Sequence, residues 1–326
     1  MNIIYTFDDG YAEITGVSLI SLFENNLDIE KINIYVIDFG ILDISKQKLI
    51  NIVSKYKRSI YFIKAIDLKK RIPIETINYG WSPVCYIRLF YAEMLPDNLD
   101  RVIHIDCDTI ITSSLKAVFE YDLNDFFCAA CYDCTPRPKR QANLEKTIKY
   151  ISNGLILIDL EKWRNNHIGD QFVDFILKKN GKLPHLDQDV LNAVLKNKIA
   201  ILPAEFNIMP VTFMYKTINC DLFLGEPYYS KEEIEKALEH PVMIHFTGSR
   251  YTRRPWQQPC MHKYNDEWIK YYKKADYSVN ENLLKQDKRA IVILKCIYAK
   301  LWIAACKFMP LRKARFYMDR KFLWKL

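Results

Sequence analysis

Two aspartates one residue apart, Asp106 and Asp108, follow a short apolar run and are the residues best suited to chemistry. The run 102–105 indicates a buried strand, and alternation along an extended backbone sends both carboxylates to the same side. Two hard oxygen ligands held this close repel each other unless a divalent cation lies between them, and Mg²⁺ or Mn²⁺ bound in this way usually bridges to substrate phosphates. Asp-x-Asp also occurs in ordinary turns, but its place at the carboxyl end of a strand favours the metal, because open α/β sheets bind ligands there.

Two further side chains are candidates for the same site. Arg88 lies in a strongly apolar segment, where a guanidinium needs an anion, either a structural aspartate or a substrate phosphate. His245 lies at the end of an apolar run, just before Thr247 and Gly248. A lone histidine is more often a hydrogen-bonded core residue, yet imidazole also completes many carboxylate metal sites, so both interpretations stay open.

Polar residues follow other apolar runs as well. Asp8 and Asp9 come after the first run, where they could contact a nucleotide or cap the next helix. Asp187 and Gln188 precede a helical segment, where acids favour the helix N-terminus; a functional role requires them to face a substrate rich in hydroxyls. Asn153 could be a simple turn residue.

Asp133 ends another predicted strand, and three cysteines lie around it. Cys128, Cys131 and Cys134 could suggest a zinc or redox site. The second half of a four-ligand set is missing, so we interpret them as small core residues.

The elements that must position these residues alternate between strand and helix. The predicted strands are 2–7, 32–37, 60–65, 102–105, 126–132, 155–158 and 242–246, and the predicted helices include 12–25, 44–56, 82–94 and 190–196. This alternation is typical of an α/β protein with a mainly parallel sheet covered by helices.

Length and composition fit either one large domain or one domain with an appendage. Of the 326 residues, 50% are hydrophobic, which is enough for a sizeable core. The nine cysteines are an odd number and lie mostly in apolar runs, so we expect a reducing cytosol. Residues 2–7 have the pattern of a strand and not that of a signal peptide, and no apolar run reaches the length of a membrane span, so we expect neither feature in this sequence.

The positive charge is concentrated in one segment. Residues 288–326 contain eleven Lys and Arg and one acid, so their formal charge is +10. The whole chain has a formal net charge of +8, so the remaining residues sum to −2. This distribution argues against a nucleic-acid partner for the body of the protein. The segment is also helical in pattern and rich in aromatic residues, so we expect it to bind an anionic membrane surface; the alternative is a basic cap packed on the body.

Six motifs in order resemble glycosyltransferase family 8, in particular the bacterial lipopolysaccharide galactosyl- and glucosyltransferases. They are Thr6-Phe7-Asp8-Asp9-Gly10-Tyr11, Tyr86-Ile87-Arg88-Leu89, Ile105-Asp106-Cys107-Asp108, Ser152-Asn153-Gly154-Leu155, Leu186-Asp187-Gln188-Asp189 and His245-Phe246-Thr247-Gly248. The resemblance implies a GT-A fold, with a Rossmann-like, mainly parallel sheet. Residues 1–256 would form the catalytic domain and 257–326 a helical, basic and aromatic region for membrane association.

The resemblance also implies roles for single residues. Asp106, Asp108 and His245 would coordinate Mn²⁺, or Mg²⁺, between the phosphates of UDP-galactose or UDP-glucose. Gln188 would lie near the anomeric carbon. The donor-binding residues would be Asp8, Asp9, Gly10, Tyr11, Arg88, Asp106, Cys107, Asp108, Asn153, Asp187, Gln188, His245, Gly248 and Arg254.

One departure from the family pattern affects the pyrophosphate contact. The family usually has a lysine before Pro-Trp after a shorter connection, whereas this chain has a longer connection and Arg254 before Pro255-Trp256. Whether Arg250, Arg253 or Arg254 makes the contact is open at this stage.

The expected chemistry follows from charge. A divalent ion and an arginine suit the negative charge that develops on the UDP β-phosphate. Because the family retains the anomeric configuration and the residue near the anomeric carbon is the amide Gln188, we expect a same-face displacement in which the departing phosphate takes the acceptor's proton. Asp187 and Gln188 are assigned to the reaction, and Asp133 to assisting the acceptor.

These inferences predict a cytosolic transferase attached peripherally to the inner face of the cell membrane. It would move a hexose from a UDP-sugar to a lipid-linked or surface glycan such as lipopolysaccharide. The rivals are a self-glucosylating initiator of the glycogenin type and an inactive nucleotide-sugar-binding protein. A sugar nucleotidyltransferase is disfavoured, because the N-terminus has no glycine-rich signature to bind a triphosphate.

Overall fold

A seven-stranded sheet forms the centre of the protein in a computed structural model. The structure describes residues 1–75, 82–133, 150–214, 229–248, 253–275, 283–284 and 286–306. The strands of both sheets are β1 (Asn2–Phe7), β2 (Asn33–Asp38), β3 (Ser59–Lys64), β4 (Arg101–Ile105), β5 (Thr109–Ile111), β6 (Cys128–Tyr132), β7 (Ile151–Asp159), β8 (Ile199–Ile201) and β9 (Met243–His245). The order in the large sheet is β3-β2-β1-β4-β7-β6-β8. Its neighbours pair in parallel except at β7, which runs antiparallel to both β4 and β6.

The described α-helices lie between these strands and after them. They are Ala12–Glu24, Asp43–Lys55, Leu68–Arg71, Tyr91–Met94, Lys116–Phe119, Leu160–Asn165, Ile168–Lys178, Leu186–Val194, Pro210–Met214, Lys231–Glu239, Asn265–Lys274 and Ala290–Cys306. Short 3₁₀ turns occupy Asp9–Tyr11, Pro83–Phe90 and Ala204–Phe206.

Three predicted boundaries were wrong at places that matter for the site. The predicted helix 82–94 is mostly a 3₁₀ turn, in which the Ser82 side chain accepts from Val84 and a proline stands in the first turn, and only its last four residues are α-helical. The predicted helix 190–196 begins earlier, at Leu186, so its acids lie inside the first turn where the helix dipole favours them. The strand predicted at 155–158 begins at Ile151, so Asn153 is a strand residue and not a turn residue.

The sheet is buried on both faces. On β1, Ile3 and Tyr5 face one hydrophobic layer, which also contains Trp268, while Ile4 faces the other layer with Trp163. Alternate side chains thus leave opposite faces of the strand, and both faces meet apolar partners. This explains why the central strands are near-continuous hydrophobic runs.

A second, two-stranded sheet joins distant parts of the chain. β5 and β9 pair antiparallel, and this places Thr109 opposite His245. Because β5 begins directly after Asp108, the pairing brings the aspartate pair and the histidine together. The predicted strand 242–246 is therefore outside the large sheet.

The helix Asn265–Lys274 lies on the body of the protein. Its Trp268 is fully buried, Asn25 donates to the Tyr271 hydroxyl at 2.9 Å, and Lys274 pairs with Glu24 at 2.6 Å. This helix therefore packs into the same hydrophobic core as β1. The predicted division of the chain at residue 256 stays a prediction.

The helix Ala290–Cys306 differs from the others in its exposed apolar face. Ile291, Leu294 and Leu301 are 47%, 60% and 66% exposed, whereas Val292 and Cys296 are buried. Among the described residues, no helix combines the length and the apolar character that crossing a bilayer requires. Most of the predicted basic tail, from residue 307 onward, lies outside the described part of the chain.

Candidate active site

A cavity of about 240 Å³ opens at the carboxyl end of β4. The sequence-assigned residues that line it are Arg88, Asp106, Asp108, Asp133, Asn153, Asp187, Gln188, His245, Gly248 and Arg254. The wall also contains residues to which no role was assigned: Cys85, Ser152, His185, Leu186, Met209 and Thr247. Most of the predicted site is therefore in one place.

Asp106, Asp108 and His245 form the acidic centre of the cavity. One ligand atom from each lies within 4.8 Å of the others. His245 Nε2 is 3.1 Å from Asp108 Oδ1 and 3.5 Å from Asp106 Oδ2. The Phe246 amide donates to the Asp108 carbonyl at 2.7 Å and so fixes the two segments against each other. Two carboxylates and one imidazole nitrogen are a donor set that fits Mn²⁺ or a similar divalent cation.

The three groups and their neighbours shift one another's pKa values. Burial would raise the pKa of Asp106, but Arg88 and His104 hold it well below its usual range. The pKa of Asp108 is also lowered, since His245 and Arg254 outweigh its burial. Burial alone would lower the pKa of His245, but the neighbouring Asp108 carboxylate raises it by more, so the net shift is upward. The two carboxylates are therefore ionised and attract a cation.

Arg88 lines the cavity and forms ion pairs with two aspartates. Its Nη1 is 3.0 Å from Asp106 Oδ1, and its Nε is 3.1 Å from Asp187 Oδ2. The anion that this buried arginine requires is thus structural aspartate. Burial raises the pKa of Asp187 to about 6 in spite of Arg88, and Asn153 also donates a hydrogen bond to that carboxylate.

Asn153 reaches this position because β7 runs antiparallel to its neighbours β4 and β6. The start of β7 therefore lies beside the end of β4, where the Asp106 amide donates to the Gly154 carbonyl at 2.9 Å. Arg88 Nη1 also donates to the Asn153 carbonyl at 3.2 Å.

Of the three arginines left open by the sequence, Arg254 faces the cavity. Its Nη2 is 3.1 Å from Asp108 Oδ2, it donates to the Tyr11 hydroxyl, and its guanidinium carbon lies 5.6 Å from the centre of the Trp256 ring. Arg253 instead donates to the Gln258 carbonyl at 3.3 Å and lies 3.7 Å from Asp287. Arg250 lies outside the described residues.

Gln188 and Asp133 form a pair on the opposite wall. Gln188 Nε2 donates to Asp133 Oδ2 at 2.8 Å. An ionised carboxylate can only accept, so this contact fixes the amide with its nitrogen towards Asp133 and its oxygen away from it.

The other assigned residues do not line the cavity. Asp9 Oδ1 accepts from the Leu42 amide at 3.0 Å, and the Asp8 side chain makes no helix-capping hydrogen bond. Gly10 follows them, and Tyr11 contacts Arg254 from outside the cavity. The Cys107 side chain is buried, and its Sγ lies 3.8 Å from the Thr6 carbonyl oxygen. A nucleotide sugar in the cavity could therefore contact only the backbone of this residue.

Sequence reasoning missed two buried partners of the site. His104 Nε2 lies 3.0 Å from Arg88 Nη1 and 3.1 Å from Asp106 Oδ1. The i, i+2 spacing of His104 and Asp106 in an extended run was the signal for it. Asn207 Oδ1 lies 3.2 Å from His245 Nδ1, and no local pattern connects these residues, which are 38 positions apart.

Comparisons with known proteins agree with one another. The sequence model of "Glycosyl transferase family 8" matches residues 2–260. General stress protein A of Bacillus subtilis is 27% identical over 275 residues, which are 83% of this chain and 92% of that protein. The lipopolysaccharide 1,2-glucosyltransferase of Escherichia coli K12 is 25% identical over 332 aligned residues, which cover 100% of this chain and 92% of that enzyme.

Among solved structures, the galactosyltransferase LgtC in complex with donor and acceptor sugar analogues is similar. Its TM-score is 0.71 at 22% identity, with 84% of this chain and 96% of that chain covered. The likeness shows the fold, and the GT-A architecture expected from the sequence is confirmed.

Proposed function

The chain belongs to glycosyltransferase family 8, and on that premise we propose that it is a metal-dependent, retaining hexosyltransferase. It would move galactose or glucose from a UDP-sugar to a lipid-linked or cell-surface glycan such as lipopolysaccharide. The observation that carries the proposal is the cluster of Asp106, Asp108 and His245 at the end of β4, inside a cavity that also contains two arginines.

The cluster would hold Mn²⁺ or Mg²⁺, because its carboxylate oxygens and imidazole nitrogen are ligands that such ions accept. When bound, the cation supplies positive charge to the departing diphosphate. Arg254 would bind the same diphosphate. Its Nε is buried and has no hydrogen-bond partner among the described residues, so an anion would satisfy it.

The sugar would lie against Arg88, Asn153 and Asp187. Their mutual hydrogen bonds and ion pairs hold one guanidinium, one amide and one carboxylate in fixed places on the cavity wall. A hexose has several hydroxyl groups, and each of these side chains can donate to or accept from one.

Gln188 would face the anomeric carbon with its amide oxygen, since its nitrogen is held by Asp133. In the same-face displacement that we propose, the bond from the anomeric carbon to the UDP oxygen breaks, and the bond to the acceptor oxygen forms on the same face. The acceptor's proton passes to the departing phosphate oxygen. The amide oxygen would stabilise positive charge on the anomeric carbon.

The enzyme would act from the cytoplasm, attached peripherally to the inner face of the cell membrane. The support is the exposed apolar face of the helix Ala290–Cys306 and the basic, aromatic sequence that follows it. Apolar side chains would enter the interface while lysines and arginines meet anionic headgroups.

The test is UDP release by the purified protein with Mn²⁺ across a panel of UDP-sugars, alongside Asp108→Asn. We expect release from UDP-galactose or UDP-glucose that requires the metal and falls by at least 100-fold in the variant, because a ligand and its charge are lost.

Two other outcomes would change the proposal. If UDP and Mn²⁺ bind but no donor is turned over even with glycolipid acceptors, the protein is a nucleotide-sugar-binding module. If an intact-mass increase accompanies incubation with UDP-glucose alone, the protein is a self-glucosylating initiator.

A further inference from the structure

The side of the His245 ring that faces away from the two aspartates contacts residues that have no role in the proposed reaction. Its Nδ1 lies 3.2 Å from Asn207 Oδ1, and the opposite nitrogen, Nε2, faces Asp106 and Asp108. Asn207 is only 4% exposed, so this contact is made inside the protein and not in water.

The Asn207 amide is itself held in one orientation. Its Nδ2 donates to Ser152 Oγ at 2.9 Å, and its backbone amide donates to the Ala204 carbonyl at 3.2 Å. With the nitrogen committed to Ser152, the oxygen is left to accept from His245 Nδ1. The hydrogen of a neutral His245 is then on Nδ1, and the lone pair of Nε2 is directed at the carboxylates.

Gly154 supplies the space that this ring orientation needs. A Cβ atom on residue 154 would lie 2.3 Å from His245 Nδ1 and 2.4 Å from its Cε1. The ring therefore packs directly on the β7 backbone, and any side chain at this position would push it away. Glycine at 154 is explained by this close approach.

We propose that Asn207 is a positioning residue that fixes the tautomer and orientation of His245 as a metal ligand, with Gly154 providing the space for the ring. This inference rests on the proposed metal-dependent function. It assigns a task to Asn207, which does not line the cavity and contacts the proposed ligand set only through His245. A hydrogen bond to the distal nitrogen of a ligating histidine typically changes metal affinity by about 10–100-fold.

The test is a titration of the protein with Mn²⁺ in the absence of nucleotide. The electron paramagnetic resonance signal of the free ion measures how much Mn²⁺ is bound. Asn207→Leu keeps the size of the side chain but cannot accept from Nδ1, and we expect its dissociation constant for Mn²⁺ to rise about 10–100-fold. Asn207→Asp keeps an acceptor oxygen and serves as the matched control. We expect it to bind Mn²⁺ within about threefold of the unaltered protein, because an acceptor to Nδ1 is retained.

Gly154→Ala provides a second route to the same result if Asn207→Leu does not fold. It leaves Asn207 in place but displaces the ring, and we expect the same loss of Mn²⁺ affinity with a cooperative thermal unfolding transition retained.

The outcomes separate this inference from the proposed function. Tight Mn²⁺ binding by Asn207→Leu, or by Gly154→Ala if Asn207→Leu does not fold, would overturn the inference and leave the metal site standing. Equal losses in Asn207→Leu and Asn207→Asp would also overturn it, because packing alone would then explain the effect. Failure of the unaltered protein to bind Mn²⁺ would overturn both proposals.

Discussion

Arg253 and Arg254 are neighbours in the chain, yet their guanidinium groups face different anions. Arg254 lies 3.1 Å from Asp108, while Arg253 turns towards Asp287. If Arg254 binds the diphosphate, Arg254→Ala will weaken UDP binding about 10–100-fold in the presence of Mn²⁺, since a hydrogen bond to a charged group is worth about 1.5–3 kcal/mol. Isothermal titration calorimetry measures this directly.

Arg253→Ala is the matched control for that measurement. It removes the same charge one residue away and should leave the UDP dissociation constant within about twofold, because the side chain faces away from the cavity. Equal losses in the two variants would mean that general positive charge, and not one directed contact, holds the diphosphate.

The pair of Gln188 and Asp133 predicts a difference between two substitutions of Asp133. Asp133→Leu removes the acceptor that orients the amide, and we expect kcat to fall by roughly 100-fold, as for a misplaced reacting group. Asp133→Asn keeps an acceptor oxygen and should lose less than about tenfold. If Asp133 instead acts as a charged base, both variants will lose activity equally in steady-state assays with donor and acceptor.

Asp187 predicts a dependence of stability on pH. Because burial raises its pKa from 3.8 to about 6, the folded protein holds this proton more tightly than the unfolded chain does. The corresponding contribution to stability is fully present below pH 3.8 and is lost as the pH rises through about 6.

Asp187→Asn removes this ionisation. Relative to that variant, the unaltered protein should lose up to about 3 kcal/mol of unfolding free energy between pH 4 and pH 7, at 1.36 kcal/mol per pKa unit. Urea denaturation across this range measures the difference. A difference that stays constant with pH would contradict the prediction.

At the scale of elements, the site depends on how the helix Leu186–Val194 is attached to β7. Asn192 is fully buried on this helix; its Oδ1 accepts from the Ile151 amide at 2.7 Å, and its Nδ2 donates to the Ile151 carbonyl at 3.0 Å. The same Nδ2 lies 2.8 Å from the Gln188 carbonyl, one turn earlier. Asn192 therefore joins the helix that carries Gln188 to the strand that carries Asn153.

Asn192→Ala should lower the unfolding free energy by roughly 3 kcal/mol, because buried backbone groups lose their partner. Gln47→Ala removes another amide side chain, whose hydrogen bond to the Asn51 side chain is exposed, and should change stability by less than about 0.5 kcal/mol. Urea denaturation compares the two. Similar changes in unfolding free energy for the two variants would mean that water can replace the hydrogen bonds of Asn192 without loss of stability.

The elements that the sequence predicted best are those with a strong local pattern. β1 and β2 and the helices Ala12–Glu24 and Asp43–Lys55 agree with expectation to within about a residue at most ends, because alternation and amphipathic spacing are properties of neighbouring residues. The reversed direction of β7 has no such local signature. Direction is set by which strand it pairs with, and that depends on residues far away in the chain.

The same distinction holds for the site. Asp106 and Asp108 were found from their own spacing and His245 from its place at the end of an apolar run, whereas the role of Gln188 near the anomeric carbon came only from the family resemblance. Asn207 was missed, since its importance comes from a contact to a residue 38 positions later. A buried polar side chain whose partner is distant has no pattern that a single sequence can display.

At the scale of the whole molecule, the exposed face of the helix Ala290–Cys306 is the feature that the catalytic cavity does not explain. We predict that Leu294→Glu combined with Leu301→Glu reduces binding to phosphatidylglycerol vesicles at least tenfold, because each buried leucine contributes about 1.5–3 kcal/mol. Co-sedimentation measures the bound fraction, and binding should also weaken as salt rises.

The matched control is Leu42→Glu combined with Ile44→Glu. These residues are 58% and 67% exposed but lie near the start of the helix Asp43–Lys55. The control pair should bind vesicles as the unaltered protein does. Equal loss in both pairs would indicate non-specific adhesion, and no binding by the unaltered protein would reject membrane association.

The pairing of β5 with β9 also has a consequence for biosynthesis. His245 meets Asp108 although it lies 137 positions later in the chain, and Arg254 follows later still. During translation, a nascent chain that has already made β1 to β8 has no complete ligand set, however well its sheet has formed. Long-range closure of this kind also comes late and slowly in folding. If the proposed metal site and sugar-nucleotide donor are correct, a ribosome-bound chain can neither bind the metal nor turn over the donor until these last site residues have emerged.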